Sequence, residues 1–302
     1  MTVPAFRVGA DEAEKAAARS NFARTDFMSI PDGDHLISRW ITDHNQLITV
    51  KQHNSVPTRP APKGYTGQWP QKMGAVCRND AAFAGMFHDC SICNQYAETG
   101  DKNLAPKDRS WGLAVARKQR MENGRVAGLD DEMIEIERDG KKIMIPKIIV
   151  ANFSWHNFWS GLSTITQMHG TWLSRDQMIS RKGVELSTTY SFAAFDACNL
   201  SGGPLKPGEE AFDLRNPEHM ARYAEHMPVL GEFVLARAND EFFARFFDTR
   251  MEQPTDNASV PTGGDVVEKP GQGEPSAADM AALAARVQGH PTAEPTGSLS
   301  IG

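Results

Sequence analysis

The chain has 302 residues, 40% hydrophobic and 23% charged, which suits one large or two small domains with a core that needs no covalent staples. No apolar run reaches the 18 residues of a membrane span, and the N-terminus lacks the basic and apolar regions of a secretory signal. The expected location is therefore cytoplasmic, where clustered cysteines point to metal or catalysis sooner than to disulfides. The net charge of −6 is unevenly spread: residues 35–125 hold 13 basic against 7 acidic side chains, net +6, while residues 251–302 hold 2 against 7, net −5. A basic stretch inside an acidic chain suggests a polyanionic partner, with a merely solvated face as the alternative.

In chain order, the Ala-rich run over 11–25 reads as a helix in a terminal arm. "HLISRWIT" (35–42) and "QLITVKQH" (46–53) alternate apolar and polar residues and read as a β-hairpin joined by "DHN". Residues 54–74 hold Pro57, Pro60, Pro62 and Pro70 and are expected to be irregular. "RSWGLAVARKQR" (109–120) reads as a strand, and 131–153 as two strands around the turn Asp139-Gly140. Ser154 opens an aromatic-rich helix over 154–168, in which Phe153, Trp155, Phe158, Trp159 and Leu162 have core-like spacing. A loop precedes a last strand at 186–195, and two helices separated by Pro228 follow. Residues 251–302 are poor in large apolar groups and are expected to be disordered, with one short helix over 276–289. The pattern predicts five to six antiparallel strands, best met by an OB-type Greek-key barrel, with a β-sandwich second.

Three of the four cysteines fall within "CRNDAAFAGMFHDCSIC" (77–93). Cys90-x2-Cys93 lets two thiolates reach one tetrahedral ion, and Cys77 supplies a third. A fourth ligand can come from His53 or His88, closing a loop that has no core of its own. The alternatives lack their context. A thioredoxin-type pair wants a βαβ unit, and an iron–sulfur cluster wants a fourth cysteine, whereas Cys198 is distant and reads as a small buried hydrophobe. The H-x-E of zinc deaminases and the H-E-x-x-H of metalloproteases are absent.

Taken together, a strand with Arg39, a strand ending at His53, Cys77, the knuckle, "SWGLAVARK", the ribbon "EIERDGKKIMIPK", "SWHNFWSGLSTI" and "TTYSFAAF" form a series. Over roughly residues 30–200 this series resembles the single-stranded DNA-binding proteins of the T-even phage type. The resemblance implies an OB-fold with an inserted zinc subdomain, one structural Zn2+ on His53, Cys77, Cys90 and Cys93, and no catalysis. It also implies a basic N-terminal arm for cooperativity and an acidic tail for replication or recombination partners; here residues 1–34 depart from it with net −2. The expected organisation is an arm over 1–30, an OB-fold core over 31–200 with a zinc-containing insertion at about 54–105, C-terminal helices over 201–250 and an acidic tail over 251–302.

Single strands need cations for phosphates and aromatic faces for bases. The cationic candidates are Arg39, Lys51, Arg59, Lys63, Lys72, Arg78, Arg109, Arg117, Lys118 and Arg120, and the aromatic ones are Tyr65, Trp69 and Trp111. For the aromatics a place in the core is the competing expectation, least so for Tyr65 and Trp69 in their Pro-rich loop. The resulting expectation is sequence-nonspecific binding of single-stranded DNA in phage replication, recombination and repair. A zinc-containing protein-interaction module ranks second, and a metalloenzyme acting on nucleic acid third.

Overall fold

A computed structural model describes residues 26–247 apart from 64, 67, 88, 139, 185 and 186. The helix expected over 11–25 and the tail over 251–302 lie outside these residues. The described chain is mainly β. Nine strands share one sheet whose main path runs β1 (Asp26–Phe27), β9 (Ile148–Phe153), β5 (Lys107–Glu122), β2 (His35–Trp40), β10 (Gln177–Lys182), β11 (Thr189–Ala194). Off this path, β3 (Ile48–Pro57) pairs with β4 (Lys72–Val76) and β5, and β6 (Arg125–Asp131) pairs with β5. All pairings are antiparallel except β1 with β9. A separate ribbon pairs β7 (Met133–Arg138) with β8 (Lys141–Pro146) around Gly140. No described helix is long and apolar enough to cross a membrane.

The 16-residue β5 organises the sheet. It pairs with β3 and β2 through successive segments, and with β9 and β6 likewise. Its middle, from Ser110 to Arg117, is wholly buried. Gly112 is required there, because a Cβ would lie 2.8 Å from the Trp159 ring and 2.9 Å from Leu47. Trp40, Trp159, Phe158 and Trp172 fill the adjacent core, and α2 (Ser160–His169) closes it. A π-turn over Trp155–Trp159 precedes α2; Ser160 N donates back to Trp155 O, one residue further than in an α-turn. Adjacent Phe158 and Trp159 therefore both enter the core, while Trp155 stays 38% exposed.

Four local expectations are corrected. β2 and β3 are not a hairpin, because each pairs with β5; Asp43 and Gln46 form a capping box around a 3-10 turn at His44–Gln46, and this redirects the chain. The Pro-rich segment is partly regular: β3 continues through a bulge between His53 and Val56 to Pro57, and Lys72 starts β4. A strand can end in proline, which has no N–H to give to a further ladder bond. Residues 177–182 form β10 where a loop was expected, held between β2 and β11. Three C-terminal helices replace two: α3 (Pro217–Ala224), α4 (Leu230–Leu235) and α5 (Asp240–Phe246). The break between the last two is capped by Asn239, whose side chain accepts from Phe242 N.

The sheet also buries charge. Asp176 accepts two hydrogen bonds from Arg39, at 3.0 and 2.9 Å, and lies 3.1 Å from Arg117 Nε. Arg39 is also bonded to the Phe212 carbonyl and stacks over its ring at 4.2 Å. Arg117 pairs with Asp131, which accepts from the Tyr223 hydroxyl at 3.0 Å. Removing one partner of such a pair strands an uncompensated charge, at a cost of about 3–5 kcal/mol. Asp176→Ala leaves two buried guanidinium groups short of their shared carboxylate and is expected to lower unfolding free energy by about that amount; urea denaturation of the two proteins measures it.

Candidate metal centre

Three elements bring the four ligand atoms together. His53 lies on β3 where the bulge begins, next to Ser55 with φ +55°. Cys77 follows β4 directly, and its N–H donates to Lys51 O at 2.8 Å. The turn after it is fixed by Asp80, which accepts from Ala82 N and from Lys51 N. Cys90 caps α1 (Ser91–Thr99) and Cys93 sits in its first turn, so three-residue spacing turns both thiols to one side. The helix N-terminus also favours thiolate over thiol there.

His53 Nε2 lies 3.3 Å from Cys90 Sγ and 3.6 Å from Cys93 Sγ, and Cys77 Sγ lies 3.4 Å from Cys93 Sγ. All four ligand atoms fall within 4.8 Å of one another. A tetrahedral ion with thiolates at about 2.3 Å and imidazole at about 2.0 Å sets its ligand atoms roughly 3.4–3.8 Å apart, so the cluster has the right size for one ion. None of the cysteines is in a disulfide. The other ring nitrogen, Nδ1, is 2.6 Å from Leu104 O; as the donor of that bond it leaves the Nε2 lone pair facing the thiols. His53, Cys77 and Cys90 are buried among Val56, Ala75, Ile92, Leu104 and Phe243.

The electrostatics also suit a cation. A hydrogen bond with Cys77 is the main reason the Cys90 thiol is pushed down to about 3; burial opposes it and His53 assists. The same bond, and then burial, push Cys77 up. Cys93 is raised, chiefly by burial. Cys90 is thus the thiol most inclined to give up its proton, and an ion held here would displace the others. His53 is the histidine brought to the cysteines; His88 lies outside the described residues. Cys198 is buried as expected, but its Sγ is 3.2 Å from Arg39 Nη2, so its setting is polar.

The residues expected on a nucleic-acid surface divide in two. Arg39 and Arg117 are buried in the ion-pair cluster, and Trp111 is buried against Phe27 and Phe233, so none of the three is available to a ligand. Arg78 is held by Ala238 O and Asp240, and Arg120 by Asp130, Glu122 and Ser201 O. Trp69 donates to Arg59 O and packs against Phe246, while Arg59 bonds to Arg245 O and Phe246 O. Lys51, Lys63, Tyr65, Lys72 and Lys118 are exposed.

A second cluster joins the expected cation Arg109 to aromatic residues outside the expected set. Tyr190 on β11 packs edge-on against Phe153 at 5.4 Å and Phe158 at 5.2 Å, and Phe153 stacks on Phe158 at 4.0 Å. Burial pushes the Tyr190 phenol up, and the charges of Arg181 and Arg109 pull it back. Burial lowers the pKa of Arg109, and no carboxylate pairs with it among the described residues. Phe153 was expected in the core; it, Tyr190 and Phe192 are half-exposed. The signal for the cluster was present in "TYSFAA", whose alternation sets Tyr190 and Phe192 on one face.

No family model, curated protein or solved structure matches this chain.

Titration with Co2+ as the probe is expected to reach one ion per chain, and Cys77→Ser or His53→Ala to weaken binding. Protons compete with the ion for Cys77 and Cys93, both raised, so affinity is expected to fall as pH falls. Unaltered binding by His53→Ala would remove it from the ligand set.

Proposed function

We propose that the protein binds single-stranded DNA without sequence preference and without catalysis, in replication, recombination and repair of the T-even phage type. The β core acts as an OB-type platform, and one structural Zn2+ on His53, Cys77, Cys90 and Cys93 holds the inserted module. The observation that carries this reading is the half-buried guanidinium of Arg109, which no carboxylate among the described residues pairs with, near the half-exposed Tyr190 and Phe153. Burying a cation without a counterion is unfavourable, and a phosphate supplies one. Stacked rings beside it accept any base, because every base has a π-face. Arg181, beside Tyr190, and the exposed Lys51, Lys63, Tyr65, Lys72 and Lys118 extend the surface.

Fluorescence titration with oligo(dT) at several salt concentrations tests the reading. Tyr190→Ala is expected to cost about 1–3 kcal/mol with little change in salt dependence. Arg109→Gln is expected to flatten the log–log salt slope by about 0.7, as for one lost phosphate contact. Duplex DNA is expected to bind far more weakly. Equal affinity for duplex and single strand, or no binding to either at low salt, would favour the protein-interaction module.

A further inference from the structure

The helix α5 packs against the metal module. Phe243, fully buried, shares one apolar cluster with Cys77, Cys90, Val56, Ala75, Ile92 and Leu104. Arg78, one residue after Cys77, places its guanidinium 3.8 Å from the centre of the Phe243 ring. Its Nε donates to Ala238 O at 2.7 Å, and it pairs with Asp240 at 2.9 Å. At the C-terminal end of the helix, Arg59 N donates to Phe246 O and Arg59 Nε to Arg245 O, both at 2.8 Å. Trp69 covers the Phe246 ring at 5.1 Å, and Val76 N donates to Arg237 O just ahead of the helix. Residues from three parts of the module, at 59, 69 and 76–78, therefore grip one helix of seven residues.

A helix that short does not hold its shape alone, so its order comes from this packing. The module is joined to the main core through β3, Val76 and Phe83, and its own interior is separate. Its cluster is small, and its centre is the four-ligand group, whose binding energy for an ion is folding energy for the loops that supply it.

We propose that the metal centre is the anchor of the C-terminal helix: metal occupancy fixes α5, and metal release frees it while the β core stays folded. Residues 248–302 continue directly from this helix, so the state of the metal sets where that acidic segment is tethered. The proposal rests on the cluster being a metal site, but not on DNA binding. Linkage makes the coupling reciprocal: if the ion stabilises docking of α5, docking of α5 must strengthen ion binding by the same factor.

Two measurements on the full chain test it. The first is zinc affinity by competition with a chromophoric chelator. Phe243→Ala is expected to weaken it by at least about fivefold, the lower end of ordinary coupling, and Arg78→Gln to weaken it in the same direction. Leu162→Ala, which cuts the core beneath α2, leaves it unchanged. The second is amide hydrogen exchange of the unmutated protein with and without chelator. Amides at 240–247 are expected to lose protection on metal removal, while those at 111–116 in β5 keep theirs. Equal zinc affinity of Phe243→Ala and the unmutated protein, or unchanged protection at 240–247, overturns the coupling while leaving the metal site standing. Absence of zinc binding by the unmutated protein overturns both.

Discussion

The structure hangs on one long strand that must satisfy neighbours along its whole length. β5 gives its N-terminal third to β3, and so to the ligand His53; its middle to β2 and β9; and its end to β6. Buried backbone groups have to be paired, and four partners on one strand meet that demand without a second layer of sheet. This fixes the metal module relative to the core. His53 lies three positions along β3 from Val50, which pairs with Arg109, so the cation at the proposed nucleic-acid surface and the candidate ion ligand are set by one strand, through its ladders with β5 and β4.

Around that strand, the protein handles buried polarity in two ways. The sheet confines charge in a closed group, Arg39 and Arg117 with Asp176 and Asp131, where each guanidinium meets a carboxylate. The module gathers it in three thiols and an imidazole, a group that could hold one cation. Arg109 belongs to neither group: burial lowers its pKa, and no carboxylate pairs with it among the described residues.

The parts legible in the sequence were those set by local spacing. Cys90 and Cys93, Cys77 before them, the strand around Trp111 and the ribbon turn at Gly140 all follow from residues a few positions apart. What could not be read depends on distant partners. Arg39 on an alternating strand looks like a surface residue; it is buried because Asp176, 137 residues away, arrives beside it. The segment that forms β10 was expected as a loop, yet Gln177 is buried, and its amide donates to the Trp172 carbonyl. The fourth ligand was open between two histidines on residue chemistry alone, and it was the resemblance that favoured His53. The closure that would define an OB barrel is not carried by hydrogen bonds among the described residues, since β1 and β11 end the path unpaired with each other.

The π-turn before α2 decides which of its aromatic side chains meets water. Gly161, whose absent Cβ would lie 2.6 Å from the Phe192 ring, seats α2 close against that ring and leaves the helix little room to rotate. The adjustment is made instead at Trp155–Trp159, where the turn widens by one residue. Phe158 and Trp159 go inward together, and Trp155 stays outside against His44. An indole kept in water beside an imidazole is a built-in optical reporter, distinguishable from the four buried tryptophans by its access to a soluble quencher.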